Sequence, residues 1–295
     1  LQGKESRLLA GALFCILSKR FGTVLRRVFR GRILNLLLKT LAKEKAMKSQ
    51  KILFVLTSQD QLGSTGHKTG AYLSEITHPY EEMNRAGYEI DMVSPKGGTV
   101  PLDGVKMDDP LNAVWMNDTD FSFKLENTLT PDQVHPYDYD GIFFVGGHGA
   151  MFDLPENKEL QKITQEIFEQ NEGVVGAVCH GPAGLVNVKL NDGSFLVAGH
   201  EVASFSNDEE RAVGWETAVP FLLESVLEQR GARHSQGSKF APHVVKSGRL
   251  VTGQNPASAS GVGKAMVEVL EFVREGRALP EQNWCEWHEP SAPHR

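Results

Sequence analysis

Cys179 stands in Ala177-Val178-Cys179-His180-Gly181, a thiol between small residues with a glycine two positions on. Small-x-nucleophile-x-Gly is the layout of a nucleophile elbow, a bent strand-to-helix turn that lifts the reactive atom above a sheet. A nucleophilic cysteine needs a base to hold its proton, a group to orient that base, and N–H donors for the oxyanion formed on attack. The chain offers candidates for each role. His180 follows the thiol directly, and its backbone N–H lies where an elbow supplies one oxyanion donor. The turn Gly146-Gly147-His148-Gly149 can present a second, because glycine lets backbone approach a ligand closely. Glu75 precedes His78-Pro79 by one helical turn, and Phe205-Ser206-Asn207-Asp208-Glu209-Glu210 supplies acids that could orient an imidazole. Taken singly, each has an ordinary reading: a buried thiol, a tight turn, a solvated carboxylate, acids favouring a helix N-terminus.

The elements that must position these groups follow from pattern. Residues 174–178 form an apolar run that reads as a buried strand. Pro182 suits the first turn of a following helix, whose N-terminus would favour a thiolate. Residues 52–56 are a first strand and 57–70 a polar loop at its carboxyl end. Residues 69–86 are a helix with a kink or break expected at His78-Pro79, and 89–94 are a second strand. Strand, helix, strand at this spacing implies a right-handed crossover and a parallel sheet, hence an α/β fold. Residues 97–136 are rich in Pro, Asp and Asn and read as an insertion over the surface, with short helices. A strand over 139–145 ends in the glycine turn, and an amphipathic helix follows over 157–170. Two β-like stretches over 195–205, a helix over 218–229, a hairpin or two short strands from 243–246 and 249–252, and a last helix over 261–274 complete the body.

Charge divides the chain. Of 295 residues, 1–46 hold eleven Lys/Arg against Glu5 and Glu44, a net of +9; the whole chain is at −6, so 47–295 carry −15. An acidic body argues against nucleic acid as its partner. Residues 1–46 form a basic amphipathic segment, read as a dispensable leader or non-native extension or, alternatively, a mitochondrial transit or membrane-surface segment. The domain is placed at 47–278 and an irregular tail at 279–295. Cys15, Cys179 and Cys285 are odd in number and far apart, with no disulfide framework, which suits a reducing compartment. The cytoplasm is the expected location, or the mitochondrion if 1–46 is a transit segment. His67, His78, His135, His148 and His243 are scattered and the Cys285/His288 pair stands alone, so no metal is expected.

The motifs also come in a known order. Lys68-Thr69-Gly70 with Glu75 and His78-Pro79, the glycine turn at 146–149, Ala-Val-Cys-His-Gly-Pro-Ala at 177–183, the stretch 205–210 and Leu-Val-Thr-Gly-x-Asn-Pro-Ala-Ser at 250–258 resemble the DJ-1/PfpI superfamily. Within it they are most similar to the heat-shock chaperone-like branch that includes glutathione-independent glyoxalases. The resemblance spans about residues 48–273. It implies a flavodoxin-like three-layer sandwich with a mostly parallel sheet, and a triad of Cys179 as nucleophile, His180 as base or acid, and Glu210 as the orienting acid, with Glu209 left open for that role. It implies that Glu75 is a buried carboxyl bonded to the thiol, a neutral donor to a thiolate, with Gly147 and His180 as the oxyanion hole. It further implies attack on methylglyoxal or glyoxal, with Glu75 or His180 moving a proton between adjacent carbons through an enediol, to give lactate or glycolate with no cofactor, and a homodimer.

Other activities stay open on the same resemblance: a PfpI-type peptidase, a protein deglycase, a holding chaperone with unfolded clients, or an oxidant sensor in which the thiol goes to sulfinic acid. A class I glutamine amidotransferase shares the elbow but needs a late His-x-Glu pair. No histidine here is followed by Glu at the second position.

Overall fold

A computed structural model describes residues 50–277. The basic segment 1–46 and the tail 279–295, with Cys15, Cys285 and His288, lie outside the described residues. In chain order the strands are β1 (Lys51–Val55), β2 (Ala71–Tyr72), β3 (Glu89–Val93), β4 (Leu102–Asp103), β5 (Gly141–Phe144), β6 (Val174–Val178), β7 (Glu201–Val202), β8 (Arg233–His234), β9 (Val244–Ser247) and β10 (Leu250–Gly253). The helices are α1 (Leu73–Arg85), α2 (Pro110–Met116), α3 (Thr119–Glu126), α4 (Ala150–Asp153), α5 (Lys158–Gln170), α6 (Asn207–Val213), α7 (Leu223–Gln229) and α8 (Ala259–Arg274).

Six strands make the central sheet in the order β3-β1-β5-β6-β10-β9. All neighbours are parallel except the β9–β10 hairpin. Apolar residues run continuously along β1, β5 and β6 because both faces of a parallel sheet are covered. Alternation then sorts them by face. Leu53, Val55, Ile142, Phe144, Val175 and Ala177 pack against Leu160, Ile163 and Ile167 of α5. Ile52, Phe54, Phe143, Val145, Val174 and Val178 pack against Ile76 and Met83 of α1 and Met266 and Val269 of α8. Helices on both faces of one sheet make the three-layer α/β sandwich expected above. No helix among the described residues is long and apolar enough to cross a membrane.

Four local expectations are corrected. Helix α1 runs unbroken through Pro79 although the proline denies the Glu75 carbonyl its usual partner. Packing on α8 supports the helix there and excludes the break: a β-carbon at Gly263 would lie 2.8 Å from the Pro79 Cα. The helix predicted from residue 218 begins only at Leu223, because Pro220 disfavours helix in the residue before it. Of the two β-like stretches over 195–205, only β7 forms. After the elbow comes a five-residue 3₁₀ turn, Gly181–Leu185, rather than an α-helix, so no long helix dipole faces the thiol.

Segment 97–136 does carry short helices, but it is bound to the body and not merely draped over it. Phe121 and Leu125 are buried, and Tyr80 of α1 meets Trp115 and Phe121 edge-on. Thr77 Oγ1 donates to Asn112 Oδ1 at 2.6 Å. The segment braces the helix that carries Glu75.

Gly263→Ala tests the α1–α8 contact. Alanine is the better helix former by about 1 kcal/mol, but its methyl meets Pro79 backbone rather than a side-chain tip. The expected outcome in urea unfolding is a net loss of about 1–3 kcal/mol; a gain would mean that the helices part freely.

Candidate active site

The site lies beyond the carboxyl ends of the sheet strands, where open α/β sheets bind ligands. Glu75 comes from the first turn of α1, Gly146 to His148 from the end of β5, Cys179 and His180 from the end of β6, and Glu210 from α6. Cys179 has φ +59°, left-handed for a residue with a side chain. Such backbone costs roughly 1–3 kcal/mol and persists only where neighbours hold it. Here Cys179 N donates to Gly253 O at 2.9 Å and Phe205 N donates to Cys179 O at 2.8 Å. The small residues around the elbow are needed for contact: a β-carbon at Gly181 would lie 2.2 Å from the Phe144 carbonyl oxygen. One at Gly146 would lie 2.3 Å from Glu75 Oε2.

Cys179 Sγ lies 3.4 Å from His180 Nδ1, and His180 Nε2 lies 2.8 Å from Glu210 Oε2. The structure brings these three sequence candidates into one chain of contacts. Burial would raise the Glu210 carboxyl, but N–H bonds from His148 and His180 overcome this and hold it at about 2. An ionised carboxylate only accepts, so His180 carries its hydrogen on Nε2. Burial holds the His180 imidazole at about 4, helped by neighbouring His148 and opposed by Glu210, so it is neutral at pH 7. Its bare Nδ1 therefore faces the thiol and can accept the thiol's proton.

Between Glu209 and Glu210 the packing decides. Glu209 Oε1 accepts from Phe240 N at 2.7 Å and Asn255 Nδ2 at 2.9 Å, while Oε2 accepts from Ser206 N at 3.0 Å in a capping box. Glu209 ties loops together, and Glu210 alone of the two meets an imidazole.

Glu75 is fully buried, and its carboxyl is pushed up to about 8 by desolvation, with Cys179 and the Gly146 N–H drawing it back. Neither contact reaches full hydrogen-bond geometry, which leaves desolvation in control. At neutral pH Glu75 thus holds its proton and can donate to sulfur. Burial pushes the Cys179 thiol up and Glu75 adds to this, whereas the backbone N–H groups of Gly147 and His180 pull it down. Those two N–H groups face the sulfur, where the expected oxyanion hole requires them.

One residue escaped the sequence reading, which counted it among scattered histidines. His148 Nε2 donates to Glu210 Oε1 at 2.9 Å, so two imidazoles share one carboxylate. Its ring lies 4.0 Å from that of His180, and Phe205 packs near both, 4.5 Å from His180 and 5.9 Å from His148. The His148 side chain is 18% exposed against 1% for His180. Its place in the glycine turn at a strand end was the available signal.

The sequence profile of the DJ-1/PfpI family matches residues 67–269. The chain belongs to the DJ-1/PfpI family. It is 34% identical over 239 residues to the glutathione-independent glyoxalase HSP31 of Saccharomyces cerevisiae, covering 76% of this chain and all of the relative. It is 34% identical to glyoxalase 3 of Candida albicans, over 75% of this chain and 98% of that one. Among solved structures, glyoxalase III of Candida albicans superposes with a TM-score of 0.69 at 32% identity, covering 75% and 97% of the two chains. The Francisella tularensis rapid encystment protein REP24 superposes at 0.72 with 39% identity, covering 75% and 99%.

The Glu75 carboxyl makes a signed prediction about stability. Its folded pKa is raised, about 8 against the ordinary 4.5, so between those values the folded chain holds a proton that the unfolded chain has lost. Stability then falls as pH rises through that window. Glu75→Gln has no proton to lose and should raise Tm by an increment that grows between about pH 5 and about pH 8. An increment equal at both ends would show an ordinary carboxyl.

Proposed function

We infer that this chain is a glutathione-independent glyoxalase, converting methylglyoxal to lactate, or glyoxal to glycolate, through a covalent adduct on Cys179. The observation that carries this is the neutral His180, its bare Nδ1 turned to Cys179 Sγ and its Nε2–H tied to Glu210. The glyoxalase names of the two yeast relatives described above support the same reading. A cysteine only 4% exposed also suits a two- or three-carbon aldehyde better than a peptide bond.

The steps follow from the residues. His180 takes the Cys179 proton as sulfur adds to the aldehyde carbon. The oxygen of that carbon gains negative charge between the N–H groups of Gly147 and His180, then receives the proton from His180. The product is a hemithioacetal, and His180 is again neutral. His180 next removes the hydrogen on the sulfur-bearing carbon, the electrons passing into the neighbouring carbonyl to give an enediolate. Return of that proton to the neighbouring carbon, with the hydroxyl hydrogen of the sulfur-bearing carbon passing to the neighbouring oxygen, leaves a thioester with a 2-hydroxyl group. Water attacks the thioester, the hydroxy acid departs, and the thiol regains its proton. Glu75, neutral throughout, donates to sulfur when it bears charge. Glutathione has no part, because Cys179 supplies the thiol.

Incubation with methylglyoxal and no glutathione tests this directly. Wild type should form lactate, and Cys179→Ala should form none; equal dicarbonyl loss in both, without lactate, would sink the reading. Glu210→Gln should lower kcat by about 10²–10⁴-fold, as loss of an oriented base does.

The pH profile of kcat/KM is a separate check. Below about 4 His180 is protonated and cannot accept from the thiol. Above about 8 Glu75 ionises and repels a developing thiolate. The expected plateau lies between those values, with the acid limb well below the ordinary imidazole range. An acid limb near 6.5, the ordinary imidazole value, would mean that His180 is not the titrating base.

A further inference from the structure

We propose that His148, His180 and Glu210 form a binding site for Zn²⁺ or a similar borderline divalent cation, and that its occupation switches the active site off. The binding half stands alone; the switching half rests on the glyoxalase reading.

One nitrogen of each imidazole and one carboxylate oxygen lie within 4.8 Å of one another. Two imidazole nitrogens with one carboxylate oxygen is a donor set that zinc accepts, leaving a position open for water. The donors already meet in pairs, at 2.9 Å from His148 Nε2 to Glu210 Oε1 and 2.8 Å from His180 Nε2 to Glu210 Oε2. Zinc at its usual bond lengths spaces its ligands about 3.3 Å apart. The carboxylate need retreat from each ring by a few tenths of an ångström, and the two imidazole nitrogens, now within 4.8 Å, close to the same spacing. Three different segments hold the donors: the glycine turn after β5, the elbow, and α6. Phe205 packs against the His180 ring and limits its choice of orientation. Access runs past His148, the member that touches solvent.

The consequence for chemistry lies in the imidazole hydrogens. At rest both Nε2 atoms donate to Glu210, which leaves His180 Nδ1 bare toward Cys179 Sγ. A cation bound at Nε2 requires a neutral imidazole to carry its hydrogen on Nδ1 instead. His180 then presents an N–H to sulfur and has nowhere to receive the thiol's proton. The base is disarmed while Cys179 itself stays unligated. This separates the site from capture of zinc by a cysteine thiolate, which would need the sulfur.

The test titrates Zn²⁺ into the full chain against a chromophoric chelator, for wild type, Cys179→Ala, His148→Phe, His148→Gln and Glu210→Gln. Circular dichroism first establishes that each is folded. His148→Gln keeps an N–H for Glu210 and so guards against a packing defect. Cys179→Ala should bind as wild type does, and each folded His148 or Glu210 variant should lose one equivalent or weaken it by at least ~10-fold. Any zinc held elsewhere on the chain stays constant across the set and cancels. Zinc should also stop lactate formation by wild type, and the chelator should restore it. Wild-type affinity in both folded His148 variants, or loss of the equivalent in Cys179→Ala, would overturn the site. Zinc bound without inhibition, or with activation, would overturn the switch. Binding is read without turnover, so a metal-free protein that makes no lactate counts against the glyoxalase reading and not against the site.

Discussion

Two backbone hydrogen bonds hold Cys179 where a residue with a side chain rarely rests, and the chemistry depends on them. Gly253 at the end of β10 takes the Cys179 N–H, and the Phe205 N–H takes the Cys179 carbonyl. The elbow is thereby tied to the neighbouring strand on one side and to the segment leading into α6 on the other. That second tie matters because α6 carries Glu210. The bond that holds the strained Cys179 backbone also ties the elbow to the helix whose Glu210 bonds His180. A change in the β10 hairpin or in residues 203–206 would therefore reach the thiol without touching it.

The resting site avoids charge where it can. Glu75 is protonated and His180 is neutral, both because burial disfavours their charged forms. Charge is kept on Glu210, where two imidazole N–H groups satisfy it. A standing thiolate–imidazolium pair would be reactive toward any oxidant or electrophile. In the reaction proposed above, a neutral pair with aligned Nδ1 and Sγ becomes charged only as an aldehyde presents its carbon. The two backbone N–H groups and the Glu75 hydroxyl are already in place for the charge that then develops, so little reorganisation is needed.

The elbow, the glycine turn and the acid pair were legible in sequence because each demands particular residue types at near-contiguous positions. The parallel sheet was legible from apolar runs and a crossover helix. What was not legible depends on contacts between distant segments. Glu209 and Glu210 are adjacent and identical in type; only Asn255 and the Phe240 N–H, 46 and 31 positions from Glu209, claim one and free the other. His148 gains its meaning from Glu210, 62 positions away. Pro79 argued locally for a broken helix, and a helix packed against it from the far end of the chain overrode that preference. The elbow helix failed for a related reason: Gly181 must pass against the Phe144 carbonyl, which favours a tight 3₁₀ turn.

Pro79 also shows how fold and site are joined. Glu75 sits one turn earlier on α1, and its carboxyl must reach the sulfur from a fully buried position. A desolvated carboxyl is costly, and a helix free to tilt would relieve the cost by turning Glu75 toward water. Helix α1 is denied that freedom on two sides. Gly263 of α8 meets Pro79 at backbone distance, and Asn112 and Phe121 of the 97–136 segment clasp Thr77 and Tyr80. The segment that reads in sequence as a surface insertion is thus part of what keeps a proton on Glu75. The packing that holds α1 offsets the desolvation of Glu75, and the result is an uncharged hydrogen-bond donor held against the nucleophile.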